Sequence, residues 1–398
     1  MIYKSAMMNY SDNYNSAVDE NLNEVLELEN KLINSTLPDS LKEEAMRNTQ
    51  RLKRMFKMGG YSSEFETVSK YVDWITRIPW GVVSKDNFDI SNAKTLMDQT
   101  HFGMDTIKDL ILDYLAAMQL QSSTSQNLPS MPTQIPITNA SQDIGNSMAV
   151  LKGSSANAPV FLFVGLQGVG KTSIAKSIAA SMGRKFARVS LGAIGDVRTL
   201  RGTPRYSIDS EPGQIVKSLV RCGTMNPVIL LDEIEKSSGN AGLLNDVMAA
   251  LLEILDPEQN SSFIDHYIDH PIDLSDVFFI CTANNLGGLS AALLDRVEVI
   301  RFTSYTDQEK EVIAKQYILP RVLENLNLSS DYIRIEDDVW PLIIRPVGFD
   351  AGIRQLERNI TTLVRSAARM IVEGKPVPIV IGRENLSQYV LPDQGPLS

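Results

Sequence analysis

The sequence predicts an α/β fold in which a parallel sheet is sandwiched by helices, with a helical arm before it and a small helical domain after it. Four apolar runs (VFLFVG, FARVSL, VILLDE and VFFICTAN) alternate with segments of helical periodicity. Continuous apolar strands separated by helices are typical of a parallel sheet that is buried on both faces. The expected boundaries are 1–85 for the arm, 86–305 for the α/β domain and 306–398 for the small domain.

The predicted arm is a helical hairpin followed by a docking segment. Apolar residues recur at helical spacing from Val18 to Leu32, and a stretch containing Pro38 separates them from a second helical pattern. The segment from Tyr71 to Gly81 (YVDWITRIPWG) is aromatic and apolar and is stopped by proline and glycine. Such a segment is typical of a short helix that packs on a larger body, so we expect the arm to dock on the α/β domain.

A polar segment interrupts the α/β domain. A helical pattern runs from Met104 to Leu120, and the residues from Gln121 to about Ala158 are then dominated by serine, glutamine, asparagine, threonine and proline. A segment of this composition buries too little apolar surface to offset the entropy of ordering it. We therefore predict a flexible insertion at about 121–158.

Composition narrows the class of protein and its setting. The 398 residues carry a formal net charge of -10, which disfavours a nucleic-acid partner; the one basic stretch, Arg47 to Lys57, is interpreted as the solvated face of a helix. Cys222 and Cys281 lie far apart without metal-ligand spacing, so neither a disulfide nor a zinc site is predicted. Since no run approaches the ~18 apolar residues of a membrane span and the N-terminus lacks a signal-peptide pattern, we expect a cytoplasmic protein without a membrane partner.

A glycine-rich motif predicts a phosphate-binding loop. GLQGVGKT, from Gly165 to Thr172, follows an apolar strand and opens a helix. Glycines at this spacing let backbone N–H groups surround phosphates at the positive end of the helix. Lys171 is expected to contact the β- and γ-phosphates of ATP, and Thr172 to ligate Mg²⁺. The residues predicted to bind the nucleotide in this loop are Gly165, Leu166, Gln167, Gly168, Val169, Gly170, Lys171, Thr172 and Ser173.

Two carboxylates end the apolar strand VILLDE. Asp232 and Glu233 are expected at the carboxyl edge of the sheet, where ligands of parallel sheets bind. In that position Asp232 would hold the Mg²⁺ shell and Glu233 would act as general base on the attacking water. A strand that simply exits into a polar loop is the alternative interpretation, and the neighbouring phosphate-binding motif disfavours it.

With these motifs the sequence resembles the AAA+ P-loop ATPases, and among them the ATPase module of the Lon protease (endopeptidase La) family. The resemblance covers nearly the whole chain outside the polar segment and rests on YVDWITRIPWG, HFGMDTIKDLILDYLA, GLQGVGKT, GRKFARVSLG, NPVILLDEIEK, ALLEILDPEQNSSFIDHY, LLDRVEVI and AGIRQLERNI. It implies an AAA+ fold with a C-terminal lid domain. It also implies a motor that uses ATP and Mg²⁺ to unfold or translocate polypeptide substrates for proteolysis.

The resemblance assigns roles to two polar residues near the phosphates. Asn284, in CTAN, corresponds to the polar sensor that orients the attacking water against the γ-phosphate. Arg354, in AGIRQLER, corresponds to the lid arginine that reaches the γ-phosphate of its own subunit and couples hydrolysis to domain rotation. Judged from the residues alone, Asn284 could equally be a turn residue, and Arg354 could be an exposed helix charge paired with Glu357.

Two further assignments concern a neighbouring subunit and the base. Arg296, in LLDR, corresponds to the arginine finger that enters the nucleotide pocket of the next subunit, so the resemblance implies a homo-oligomer, expected to be a hexameric ring. Its alternative is a surface salt bridge with Glu298. Phe102 and Gly103 lie where the family packs an aromatic residue beside adenine, and core packing is the alternative there.

The sequence departs from the family pattern at two places. The family's pore loop presents an aromatic-aliphatic pair in a context like RTYIG, whereas this chain has RYSID, so Tyr206 or Ile208 is the candidate for gripping polypeptide and a plain surface loop is the alternative. The chain ends at LPDQGPLS, where the family continues into a proteolytic domain with a Ser-Lys dyad. We therefore expect no peptide hydrolysis from these residues, and any protease component to be separate. The first helical segment resembles the final arm of the family's N-terminal domain, so the resemblance implies that the chain starts within that arm.

Three functional hypotheses remain from the sequence. The first is an ATP-driven motor, which the full set of phosphate-site residues favours. The second is a nucleotide switch or assembly module that binds ATP and rarely hydrolyses it, which the altered pore loop favours. The third, a nucleic-acid-handling AAA+ protein, is disfavoured by the acidic charge.

Overall fold

The computed structural model describes the arm, the sheet with its helices and the small C-terminal domain. The described residues are 22–57, 64–87, 89–126, 160–193, 196–207, 209–236, 241–344 and 352–389.

Three helices form the N-terminal arm: α1 (22–33), α2 (Asp39–Lys57) and α3 (Glu64–Arg77). Leu41 of α2 and Ile75 of α3 are fully buried in the same cluster as residues of the central sheet. The arm therefore docks on the α/β domain, as its apolar segment predicts.

Nine strands are described: β1 (Val160–Val164), β2 (Phe186–Ser190), β3 (Val228–Asp232), β4 (Phe263–Ile264), β5 (Pro271–Ile272), β6 (Phe278–Ala283), β7 (Val297–Arg301), β8 (Ile333–Ile335) and β9 (Ile379–Ile381). Five of them form a parallel sheet in the order β2-β3-β6-β1-β7. Successive side chains of β1 alternate between two apolar clusters: Leu162 belongs to one and Phe163 to the other. Both faces of the sheet are therefore covered, which confirms the predicted fold class.

Helices cover both faces of the sheet. After the arm come α4 (Ile90–Thr100), α5 (Asp105–Gln126), α6 (Lys171–Ser181), α7 (Arg198–Arg201), α8 (Gln214–Cys222), α9 (Ala241–Leu255) and α10 (Ala291–Leu294). Apolar residues of α4, α5 and α6 share one cluster with the sheet, and those of the arm, α8 and α9 share the other. The carboxyl ends of β1 and β3 are left for polar residues, and the candidate site forms there.

The small C-terminal domain has an apolar cluster of its own. Its helices are α11 (Asp307–Ile313), α12 (Leu319–Asn325), α13 (Trp340–Ile344) and α14 (Arg354–Val372). A π-helical turn, Ala314–Ile318, joins α11 to α12, and β8 pairs in parallel with β9. Trp340 and Ile360 are buried in the cluster that these elements share.

The first residues of the predicted insertion belong to a helix. Helix α5 continues to Gln126, so the prediction of a loop from Gln121 is wrong for its first residues. Extending a helix that is already nucleated costs little, and polar residues such as glutamine and serine can continue it. The rest of the segment, 127–159, lies outside the described residues, as does Ile208. None of the described helices combines the length and apolar character that a bilayer span requires.

Candidate functional site

The loop between β1 and α6 has the conformation expected of a phosphate-binding loop. Gly168 has a φ of 83° and Gly170, the N-cap of α6, has a φ of 96°. Side chains are strained at positive φ, so glycine is the residue that suits both positions. The loop thereby directs backbone N–H groups and the N-terminus of an 11-residue helix toward one cavity.

Lys171 is buried at the first position of α6. Its Nζ donates to the carbonyl oxygen of Gly165, to that of Leu166 at 3.1 Å and to Asn284 Oδ1 at 3.2 Å. Burial lowers the pKa of Lys171, an effect that the carboxylates of Glu235 and Asp232 oppose. A polyphosphate would give this partly desolvated ammonium group a fully charged partner.

Asp232 is buried at the end of β3 and is held by two neighbouring strands. Thr282 on β6 donates its hydroxyl to Asp232 Oδ1, and Arg188 on β2 donates Nε to Oδ2 at 2.7 Å. Thr282 lies beside Asp232 because the register of β3 and β6 pairs Leu231 with Cys281. The carboxylate is thus fixed in orientation at the edge of the sheet.

Glu233 has a strained backbone. Its φ is 60°, in the left-handed region that non-glycine residues seldom adopt. Its N–H donates to Thr282 Oγ1 at 3.0 Å, and its carboxylate accepts from Lys236 Nζ at 2.9 Å. Residues in such conformations cluster at active sites, where the surrounding structure imposes the strain.

Asn284 is oriented by a carboxylate that the sequence motif does not single out. Both the backbone N–H and the side-chain Nδ2 of Asn284 donate to Glu235 Oε1, at 3.1 and 2.6 Å. With Nδ2 donating, Oδ1 is turned toward Lys171. Glu235 therefore positions the amide, and its Oε2 is buried without a hydrogen-bond partner among the described residues.

These groups converge on one cavity of about 190 Å³ between the sheet and the C-terminal domain. The cavity brings together ten of the predicted site residues: Gln167, Gly168, Gly170, Lys171, Thr172, Ser173, Asp232, Glu233, Asn284 and Arg354. It also includes Arg321, Ile353 and Glu357, which the sequence motifs do not predict. Gly165 and Leu166 both contribute a carbonyl oxygen to Lys171. The Leu166 side chain is exposed, and Val169 is buried in the core.

Three further predicted residues, Arg296, Phe102 and Gly103, do not line this cavity. Arg296 Nε donates to Asp256 Oδ2 at 3.1 Å, so the alternative pairing with Glu298 is not the one found. Phe102 packs against the apolar cluster of the C-terminal domain and lines a second cavity of about 790 Å³, next to Tyr305. Core packing thus accounts for its observed contacts, and its placement beside a base stays a prediction.

The C-terminal domain contacts the phosphate-binding loop directly. Ile353 donates its N–H to the carbonyl oxygen of Gly168 at 3.1 Å. A Cβ added to Gly352 would lie 2.6 Å from the carbonyl oxygen of Gln167 and 2.8 Å from the Gly168 backbone. The start of α14 therefore lies against the loop with no space for a side chain.

Gly352→Ala is expected to weaken ADP binding about 10-fold. The added Cβ would overlap the backbone of the loop, so the domain must shift away from the loop, and such overpacking typically costs about 1–3 kcal/mol. Calorimetric titration with ADP measures the effect. Gly287→Ala is the matched control, since its new Cβ would meet only Asn285 Oδ1, at 3.1 Å. Equal affinities for ADP in the Gly352→Ala and wild-type chains would contradict the contact's role.

Comparison with known families agrees with this geometry. Residues 161–305 match the model of the ATPase family associated with various cellular activities (AAA), and residues 324–379 match the Lon protease AAA+ ATPase lid domain. Both matches fall on the elements that surround the cavity.

Relatives with curated descriptions extend the match beyond these two domains. Lon protease 2 of Thermus thermophilus is 40% identical over 374 residues, which is 94% of this chain and 43% of that protein. The Lon protease of Lawsonia intracellularis is 39% identical over 372 residues, 94% of this chain and 40% of that protein. The Lon protease of Elusimicrobium minutum is 38% identical over 375 residues, with 94% and 41% covered.

The chain thus spans about two fifths of the length of these relatives. What is shared includes the phosphate-binding loop, the strands that carry Asp232 and Asn284, and most of the lid. With a parallel sheet, a nucleotide-binding AAA domain and a lid domain of the Lon type, the chain belongs to the AAA+ ATPases of the Lon protease family.

Proposed function

We propose that this chain binds Mg-ATP in the cavity at the end of the sheet and hydrolyses it, as the motor part of a Lon-type system that unfolds or translocates polypeptide. The observation that carries the proposal is the convergence of Lys171, Asp232, Glu233, Asn284 and Arg354 around one cavity. They come from four separate places in the chain, namely the start of α6, the end of β3, the end of β6 and the start of α14, so their meeting supports one common ligand.

The residues around the loop fit a magnesium ion that arrives with a triphosphate. The Thr172 hydroxyl and the Asp232 carboxylate line the same cavity, and Mg²⁺ prefers such oxygen ligands together with phosphate oxygens and water. Among the described residues no three acidic, histidine or cysteine side chains gather as a metal cage. Thr172 and Asp232 would therefore hold the ion through the nucleotide, and the bound ion would neutralise charge on the phosphate oxygens.

The chain's own groups divide the work of hydrolysis. Lys171 and the loop N–H groups bind the phosphates, and Asn284 Oδ1, fixed by Glu235, aligns the attacking water. Glu233 accepts a proton from that water. The oxygen of the water bonds to the γ-phosphorus as the bond from that phosphorus to ADP breaks. Arg354, on the lid, lines the cavity. It would contact the terminal phosphate, so cleavage of that phosphate would change the position of the lid.

Oligomerisation and substrate handling follow from the same proposal. Arg296 would act in the pocket of a neighbouring copy, within a homo-oligomeric ring for which a hexamer is expected. Tyr206 is 87% exposed, beside Arg205, which lies over the Tyr71 ring at 4.2 Å and pairs with Glu44 at 3.2 Å. This anchored, exposed aromatic residue is the candidate for contact with polypeptide.

A nucleotide switch that rarely hydrolyses ATP is the second candidate. One observation favours it: Glu233 and Asp232 are each paired with a cation, Lys236 and Arg188. Since Lys236 is 43% exposed, its pair is weak and screened, and a bound nucleotide can compete with it. Phosphate release from Mg-ATP by the purified chain separates the two candidates, because a switch would bind ATP without steady turnover.

Lys171→Ala is expected to weaken ATP binding about 10- to 100-fold, because a charge-assisted contact to phosphate is lost from a desolvated position. Calorimetric titration with ATP measures this loss, and phosphate release should decline with it. Lys176→Ala removes an exposed lysine from the same helix and serves as the control. Unchanged ATP affinity in Lys171→Ala would refute the proposed phosphate site.

A further inference from the structure

The lid presents a second arginine to the cavity, besides Arg354. Arg321 is the third residue of α12 and lines the same cavity. The π-helical turn Ala314–Ile318 directly precedes α12 and changes the helical register, and turns of this kind are frequent at functional sites.

A carboxylate on the neighbouring lid helix holds this arginine. Arg321 Nη2 donates to Glu357 Oε1 at 2.8 Å. Glu357 lies three residues after Arg354 on α14, so the two side chains share a face of the helix, and both line the cavity. The Arg321 and Glu357 side chains are 53% and 44% exposed, so their pair is solvent-screened and a polyanion can displace Glu357.

The two lid arginines line the same cavity but have different neighbours. A Cβ added to Gly168 would lie 3.4 Å from Arg354 Cγ, so Arg354 lies against the phosphate-binding loop. Tyr317, one turn before Arg321, donates its hydroxyl to the carbonyl oxygen of Asp98 at 3.0 Å. Lys108 in turn donates to Asp98 Oδ1 at 2.7 Å and to the carbonyl oxygen of His101 at 2.8 Å. His101 precedes Phe102, on the side where the base is expected. With the base on the Phe102 side, Arg321 would lie toward the base, and Arg354 would lie toward the loop and the terminal phosphate.

We propose that Arg321 binds the phosphates nearest the base, which ADP and ATP share, and that Glu357 competes with those phosphates for it. A guanidinium group suits this role because its planar fork can donate two hydrogen bonds to a phosphate. The two arginines then divide recognition. Arg321 holds the lid on either nucleotide, and Arg354 distinguishes ATP from ADP. This inference rests on the proposed nucleotide site.

Calorimetric titration of the full chain with Mg-ATP and Mg-ADP, at one fixed ionic strength, tests the division. Arg321→Gln should weaken both nucleotides by a similar factor of about 10, because one charge-assisted contact common to both is lost. Arg354→Gln should weaken ATP more than ADP. Glu357→Gln should tighten both nucleotides about 3-fold, since it frees Arg321 and removes a negative charge. In the Arg321→Gln background this gain should shrink.

The controls separate a binding role from a structural one. Arg321→Lys keeps the positive charge and should retain most of the affinity, and a melting curve for each variant reports whether it folds. Arg369→Gln removes one arginine from an exposed position of the same lid helix as Glu357 and should leave both affinities unchanged.

Three results would overturn the inference: equal affinities in Arg321→Gln and wild type, a loss confined to ATP, or weaker binding in Glu357→Gln. A wild-type chain that binds neither nucleotide would instead refute the proposed function itself.

Discussion

ATP turnover is expected to fall by at least about 100-fold in Glu233→Gln, because a positioned general base typically contributes a factor of 10² or more and glutamine cannot take the proton of the attacking water. ATP affinity should stay within a few-fold of the wild type, since the amide keeps the size of the side chain. Phosphate release under saturating Mg-ATP measures turnover, and calorimetric titration measures affinity.

The local structure makes this a test of chemistry rather than of folding. The surroundings of Glu233 hold its backbone in the left-handed conformation, and they include the hydrogen bond from its N–H to Thr282. The backbone conformation and this hydrogen bond do not depend on the charge of the side chain. The contact with Lys236 is largely exposed, so its loss should cost little stability. Glu384→Gln, at an exposed position of the lid, is the matched control. Turnover that persists in Glu233→Gln would assign the base to another group.

The sequence predicts the centre of the sheet well because burial there leaves a simple pattern. β1, β3 and β6 are buried throughout and almost entirely apolar, so their strand character needs no knowledge of their neighbours. The edge strand β7 (VEVIR) was not predicted, because only its first and fourth residues are buried and charged residues interrupt it. Strands β8 and β9 were missed because each has three residues, and their pairing exists only through the packing of the lid.

The residues of the candidate site also differ in how well the sequence predicts them. Lys171, Asp232 and Glu233 are predictable because a short motif or a strand end places each of them by local geometry alone. Arg188 and Thr282 reach Asp232 through strand order and register, which a single sequence does not reveal. The threonine of CTAN, two residues before the asparagine, is the one local signal for Thr282.

The lid pair was harder to foresee. Helical spacing suggests Glu357 as a partner for Arg354, yet the structure pairs Glu357 with Arg321, which lies 36 residues earlier on α12. Helical spacing names the candidates on one element, whereas tertiary packing decides which charge is closest.

Substitution of Arg296 is expected to have the other large effect on ATP turnover. In its own subunit it lies outside the cavity, 39% exposed and tied to Asp256, a carboxylate that also accepts from the Glu258 N–H at 3.1 Å. An arginine held in one orientation at the surface, and away from its own phosphates, is suited to act on a neighbouring copy. The pairing with Asp256 limits the side chain to few orientations and so lowers the entropy cost of inserting it.

Arg296→Ala is expected to lower ATP turnover by about 10³-fold, the scale of a transferred arginine finger, while each subunit keeps its affinity for ATP. Arg301→Ala removes another exposed arginine close in sequence and serves as the control. Mixing provides the sharper measurement. A Glu233→Gln subunit keeps its arginine and an Arg296→Ala subunit keeps its base, so mixed assemblies should recover turnover that neither variant has alone. Absence of recovery in assemblies shown to contain both variants would mean that Arg296 does not act across a subunit boundary.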